Sequence, residues 1–270
     1  LRAGQGTKRT PKTTSARMGA KVKEHNKKPP NTRINAPQWQ IPPGLTSGNF
    51  DYIRSASIAS KYDVFLRHNP LTAADGKILD HYLPMVADQT PQRPLVADFG
   101  CGNGRSLLPQ LTKGYQGLAI DISLPMLDAM QQKATQLELD NHVTAIQCNL
   151  VEMEFLAADC IDFGICMFST LGMISGRSNR RRFLCHARRM LKPGGQFIVH
   201  AHNAIYQLRH RHGFRWAAAA LWRAIRGKQE FGDRTAAYRG INNMFIHSFR
   251  RGELKRDLRE AGFEIMRWHG

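Results

Sequence analysis

From Pro94 to His202 the chain alternates apolar runs of strand length with amphipathic runs of helix length, and that alternation admits few folds. PLVADFG reads as a first strand with SLLPQLTK as its helix, YQGLAIDIS as a second strand, and HVTAIQCNL as a third. CIDFGICMFS is a fourth, nearly continuous in its apolar residues, as a strand covered on both faces requires. SNRRRFLCHARRMLKPGG sets Phe183, Leu184, Ala187 and Leu191 on one side of a helix closed by Pro193-Gly194-Gly195, and QFIVHAH is a fifth strand. The helix RGELKRDLREAG and a sixth strand, FEIMRW, end the pattern. Parallel strands joined by helices make a doubly wound α/β sheet that takes its ligands at the carboxyl ends of the strands.

Three segments lie outside this frame. Residues 1–45 are rich in Lys, Arg, Thr, Pro and Asn with little to bury, and are predicted to be a disordered basic tail. Residues 46–92 carry short helical patterns, Ile58, Tyr62, Phe65 and Leu66 and then Leu71, Ile78, Leu79, Tyr82 and Leu83, expected to form cap helices. Residues 203–243 interrupt the domain of 93–270 with an arginine-rich stretch, QLRHRHGFRWAAAALWRAIRGK, read as a helical insertion on the substrate side.

The net charge of +18 is unevenly placed, and that placement bears on partners, not on fold. Residues 163–229 hold 13 Lys and Arg and no Asp or Glu, whereas residues 44–162 hold 8 basic and 14 acidic side chains. The five cysteines form no C-x-x-C pair, as expected of reduced thiols in the cytoplasm. No uncharged apolar run is long enough to span a bilayer, and no apolar leader opens the chain.

The first strand runs into VADFGCGNGR, where Gly100, Gly102 and Gly104 let the backbone turn sharply and a ligand approach without meeting a Cβ. Asp98 stands beneath that turn, and its charge repels a pyrophosphate but suits an ammonium group. Asp121, about 20 residues on at the end of the second strand, suits the two hydroxyls of a ribose. A ligand with a ribose and a cation but no phosphate fits this pair better than a nicotinamide dinucleotide does, and Arg105 occupies the third glycine of the dinucleotide pattern. S-adenosylmethionine is such a ligand.

On DFGCGNG, AIDIS, QCNL, IDFGICMFSTLG and LKPGGQFIV the chain resembles the class I S-adenosylmethionine-dependent methyltransferases over residues 93–270. The resemblance implies their Rossmann-like fold, S-adenosyl-L-methionine as cofactor, and no metal. It also implies cofactor contacts from Asp98, Gly100, Cys101 and Gly102, from Asp121 and Ile122, from Met126, from Asn149 and Leu150 near the adenine, and from Cys166. Tyr62 matches an aromatic residue that many members fold over the cofactor. The family's seventh, antiparallel strand has no counterpart before Gly270, so the sheet edge is expected to differ or the chain to be cut short. NNMFIHSFRRGEL resembles the lead-in to the last helix of the transfer-RNA wobble-uridine methyltransferases.

Methyl transfer from a sulfonium needs an aligned nucleophile and, for some acceptors, a base. The candidates are His202 first, then His247 and Ser169, all expected at strand ends. The acceptor is expected to be a small molecule, anionic or lipid-like, methylated on oxygen or nitrogen. RNA reached through the tail and residues 177–228 is the alternative, with a catalytically inactive methyltransferase-like binding protein as a further one. The Trp/Leu/Arg helix also suits peripheral membrane contact, and the chain is expected to be a monomer or weak homodimer.

Overall fold

The structure is a computed structural model that describes residues 40–67, 69–87, 92–209, 213–227 and 229–269. The expected tail lies outside the described residues up to 39. The core is a five-stranded parallel sheet of β1 (Leu95–Phe99), β2 (Gln116–Asp121), β3 (Val143–Gln147), β4 (Ile161–Cys166) and β5 (Leu191–Val199) in the order β3-β2-β1-β4-β5. The chain moves outward from β1 through β2 to β3, then returns to the other side of β1 as β4. The order in which strands are added thus reverses between β1 and β4, which opens a crevice over their carboxyl ends.

The sheet is covered on both faces, and β1 shows why its residues are apolar without interruption. Val96, Ala97 and Phe99 are all fully buried, Val96 against one face and Ala97 and Phe99 against the other. Phe99 meets Phe183 and Phe197 edge-on, with ring centroids 5.6 and 6.1 Å away. Phe183 belongs to α8 (Arg177–Met190), which covers this face with α10 (Arg251–Glu260). The other face is covered by α4 (Pro70–Tyr82), α5 (Leu108–Leu111) and α6 (Leu124–Gln136). Ser123 caps α6 by accepting from the Met126 N–H and also donates to the Ile53 carbonyl, which ties the cap helices to the domain.

Ahead of the sheet stand α1 (Ser47–Ile53), α2 (Ala56–Ser60) and α3 (Tyr62–Leu66). The short helix α7 (Thr170–Met173) follows β4. After β5 come a 3₁₀ turn at Ala204–Arg209 and α9 (Gly213–Ile225). The antiparallel hairpin of β6 (Asp233–Tyr238) and β7 (Ile241–His247) completes the element order before α10.

Two expectations need correction. Residues 203–243 are not helical throughout, because from Asp233 onward they belong to the hairpin. Its turn is Arg239-Gly240 with φ of 51 and 81°, the backbone of a two-residue turn without the usual Asn or Asp in first place. FEIMRW is not a sixth strand. Phe263 stacks on Phe197 of β5 at 5.0 Å, and Ile265 and Trp268 pack on the same cluster, so the segment covers the sheet with side chains instead of extending its ladder.

Candidate active site

The glycine turn is held by the strand beside it. The N–H groups of Gly100 and Cys101 both donate to the Ile120 carbonyl, at 2.8 and 3.1 Å, and the Gly102 N–H donates to Asp121 Oδ2 at 2.8 Å. Three glycines with positive φ serve different needs. A Cβ at Gly100 would meet Thr170 Cγ2 at 2.3 Å, and one at Gly104 would meet Met130 at 2.7 Å. At Gly102 the nearest atom to such a Cβ is Tyr62 Cε1 at 3.9 Å, so this glycine keeps space open and the others allow packing.

Above the turn is a cavity whose floor is the β1 and β4 ends. Asp98, Gly100, Cys101 and Gly102 line it from β1, and Met167, Phe168 and Thr170 from the segment after β4. Phe168 and Ser169 both adopt the left-handed region, with φ of 52 and 65°, a costly conformation for side-chain-bearing residues that turns the chain at the cavity edge. Tyr52 of α1 and Tyr62 of α3 close one side, and Arg234, Tyr238, Met244 and Ile246 of the hairpin close another.

Asp98 is 1 % exposed, and its Oδ2 is buried without a hydrogen-bond partner. Burial pushes its carboxyl up to about 8, with Arg105 pulling down and Asp121 pushing further up. An unpaired buried carboxyl beside an open glycine is a fit for a cationic ligand group. Asp121 is also raised by burial, opposed by the N–H groups of Ser123, Gly102 and Ile122. Its Oδ1 accepts from the Ser123 N–H at 2.8 Å, so backbone N–H groups orient both oxygens and acceptor capacity remains for a ligand hydroxyl. The cofactor inferred from sequence therefore fits the residues present.

Asn149 stands just after β3, at the same end of the sheet as Asp98 near the end of β1 and Asp121 at the end of β2. Its amide NH2 donates to the Pro43 carbonyl and to Glu152, at 3.0 and 2.9 Å, and its Oδ1 accepts from the Val151 N–H at 3.2 Å, which leaves that oxygen a second lone pair for a ligand donor. Met126 packs with Ile58 and Ala59 against the cap helices. Ile122, Leu150 and the fully buried Cys166 stand at or behind the strand ends and are not on the cavity wall.

Of the three candidate catalytic residues, only His202 lines the cavity. Burial drives its imidazole down to about 4, with the charges of His200 and Arg234 adding and Asp75 opposing, so the ring is neutral near pH 7 and its Nδ1 is unpartnered. Ser169 is fully buried, and its hydroxyl accepts from the His202 N–H at 3.1 Å, which positions that histidine. His247 is fully buried too, with Nδ1 on Asp233 at 2.7 Å and Nε2 on Glu253 at 3.0 Å. Both nitrogens are engaged, which leaves His247 no lone pair for a substrate. Glu230, His247 and Glu253 have the spacing of a metal site, yet Glu230 is held by Arg180 at 2.7 Å and the other two by each other.

Sequence reasoning missed Tyr52, Arg105, Arg234 and Tyr238 on the wall. Tyr52 and Tyr238 have ring centroids 6.1 Å apart although 186 positions separate them, which no local pattern announces. The alternation of DRTAAY across an Arg-Gly turn was the available signal for the hairpin.

The arginines of α8 do not form a free basic face. Arg177 and Arg181 both bind the buried Asp257, Arg182 binds Glu154, and Arg180 is buried against Glu230. Arg188 donates to the Gly262 carbonyl, and Arg189 to the carbonyls of Leu156 and Met153. Among the described residues, no helix is long and apolar enough to cross a membrane.

Residues 96–195 match the family model of a methyltransferase domain. No curated protein matches the chain. Among solved structures, an S-adenosylmethionine-dependent methyltransferase of Methanosarcina mazei is similar at TM-score 0.54 and 20% identity, over 67% of this chain and 86% of the other. The 1,6-didemethyltoxoflavin-N1-methyltransferase of Burkholderia thailandensis, solved with 1,6-didemethyltoxoflavin and S-adenosylhomocysteine, is similar at 0.52 and 18%, over 82% and 81%. The CcbJ methyltransferase of Streptomyces caelestis is similar at 0.54 and 19%, over 78% and 87%. These likenesses agree with the fold that DFGCGNG and its companions implied.

Proposed function

We propose that this chain, a class I S-adenosylmethionine-dependent methyltransferase through the domain at residues 96–195, methylates an oxygen or nitrogen of a small molecule. The observation that carries the small-molecule reading is the cavity walled by α1, α3 and the hairpin over the ends of β1 and β4. A polynucleotide would need an open basic face, and the α8 arginines are bound by the protein's own carboxylates and carbonyls. The five free cysteines support a cytoplasmic site of action.

Bound S-adenosylmethionine supplies an electrophilic methyl group on a sulfonium. Asp98 holds the ammonium group of its methionyl portion, and Gly102 leaves room beside it. Asp121 accepts from the ribose hydroxyls while its own hydrogen bond to Gly102 keeps the turn in place. Asn149 and Leu150 stand on the adenine side. Tyr62 covers the turn from α3, with burial raising its phenol to about 12, so it stays a neutral donor. His202 is the proton acceptor for a hydroxyl or amine nucleophile, neutral before the reaction and positioned by Ser169.

The test uses the full chain with cofactor labelled in its methyl group, offered to a small-metabolite pool and to a transfer-RNA pool. Label is expected in the small-molecule fraction. Label confined to RNA would overturn the acceptor assignment, and a folded protein that does not bind S-adenosylhomocysteine would overturn the cofactor assignment.

A further inference from the structure

The hairpin wall carries a cation that the protein leaves unneutralised. Arg234 on β6 lines the cavity opposite Ile246, and its Nε is buried without a partner. Among the described residues no ion pair or hydrogen bond reaches its guanidinium, and burial lowers its affinity for the proton with no carboxylate to offset the effect. Other arginines near the site are treated differently. Arg105, the second cation on the wall, donates to Asp75 at 3.1 Å, and the buried Arg180 donates to Glu230 at 2.7 Å. Arg239, at the hairpin turn, lies over the Phe65 ring at 3.6 Å and donates to a carbonyl.

Half-burying a guanidinium without a counter-charge carries part of the cost of leaving water, and that cost is recovered when an anion arrives. Two anions come into question in a loaded methyltransferase, the methionyl carboxylate of the cofactor and a group on the acceptor. The cofactor side of the cavity is the β1 turn with Asp98 and Gly102, reached by Tyr62 and by Arg105 at the start of the following helical turn. Arg234 stands on the hairpin and is close enough to His202 to weigh on its imidazole. It therefore belongs with the proton acceptor. The remaining hairpin wall is Ala236, Tyr238, Met244 and Ile246, which faces the ligand with hydrocarbon and one ring.

We propose that Arg234 is the acceptor anchor, and that the methyl acceptor is a small acid with an apolar body whose carboxylate or phosphate pairs with this guanidinium. The proposal rests on the methyltransferase reading and specifies its acceptor. A guanidinium presents two parallel N–H groups to either anion, so both are kept as one chemistry. An anion on Arg234 also screens the positive charge that weighs on His202, which makes the imidazole a better proton acceptor once the substrate is seated.

The test is calorimetry on the full chain saturated with S-adenosylhomocysteine, with benzoate, phenyl phosphate and neutral benzamide as probes. Wild type is expected to bind one of the acids at least ten times more tightly than benzamide, and which acid wins distinguishes carboxylate from phosphate. Arg234→Gln should remove that preference, Arg234→Lys should restore part of it, and both should bind S-adenosylhomocysteine within twofold of wild type. Equal binding of acids and amide by wild type, or no binding of either acid, overturns the proposal. So does a tenfold loss of S-adenosylhomocysteine affinity in Arg234→Gln, which would assign the guanidinium to the cofactor. A wild type that does not bind S-adenosylhomocysteine instead brings down the methyltransferase reading beneath it.

Discussion

Asp98 carries most of the chemistry that one residue can carry in this molecule. With its carboxyl raised to about 8, the free protein holds it mostly protonated at neutral pH. An ammonium group binds the ionised form, so ligand binding must expel that proton. S-adenosylhomocysteine binding at pH 7 is therefore expected to release roughly 0.9 proton, from the tenfold protonation ratio at one unit below the pKa. Calorimetry in two buffers of different ionisation enthalpy reads this directly. Affinity should rise from pH 6 to pH 8 and level off above, and Asp98→Asn should lose both the proton release and the rise. Proton uptake at pH 7 would contradict the assignment. That an acid stands here was legible in VADFGCGNGR, because the glycine turn locates the strand end. Its protonation state was not, since burial at this position comes from helices on both faces of the sheet.

The hairpin walls one side of the cavity, and it is fastened at two ends. Asn49 of α1 is fully buried, accepts from the Phe245 N–H at 2.7 Å, and donates to the carbonyls of Phe245 and Met173. One amide thus substitutes for a strand neighbour along β7. At the other end His247 bridges Asp233 and Glu253. Burial pulls the His247 imidazole down, but the hydrogen bonds to Asp233 and Glu253 carry it above its ordinary 6.5. Burial raises Glu253, yet the bonds and charge of His247 hold it below its ordinary 4.5. The stabilisation from a raised histidine is complete below 6.5 and is lost as pH climbs through the folded-state pKa. That from a lowered carboxyl is complete above 4.5 and is lost as pH falls through its folded-state pKa. The bridge is therefore at full strength between those two values. Urea unfolding should show stability falling from pH 6 to pH 9, and His247→Gln should flatten that decline while lowering stability at pH 6. An unchanged slope in the variant would show that the bridge does not hold the hairpin. Sequence reading took His247 for a catalytic candidate because an isolated histidine beside a helix start looks the same whether it is bridged or free.

Across the whole molecule, charge is the property on which local reading and folded structure differ most. Within the span without acids, residues 163–229, the arginines of α8 draw their counter-charges from elsewhere in the chain: Glu154 before it, and Glu230, Asp257 and Glu260 after it. Asp257 is 1 % exposed and takes both Arg177 and Arg181. Removing both arginines leaves a buried carboxylate unpaired, a change that costs roughly 3–5 kcal/mol. The double variant Arg177→Gln/Arg181→Gln is expected to show that loss in chemical unfolding, with RNA retention at about 50 mM salt no different from wild type. Lost retention with unchanged stability would restore these arginines to a nucleic-acid face. The sequence by itself determined the alternation of strands and helices, the glycine turn, and the acids at the ends of β1 and β2. Each of these depends on steric rules and periodicities that act within a few residues. Only the tertiary structure decided the edge of the sheet, the pairing of the arginines, and the company His202 keeps. Those follow from packing between segments far apart in the chain: Tyr52, His202, Arg234 and Tyr238 share one cavity because α1 and the hairpin fold over the same strand ends.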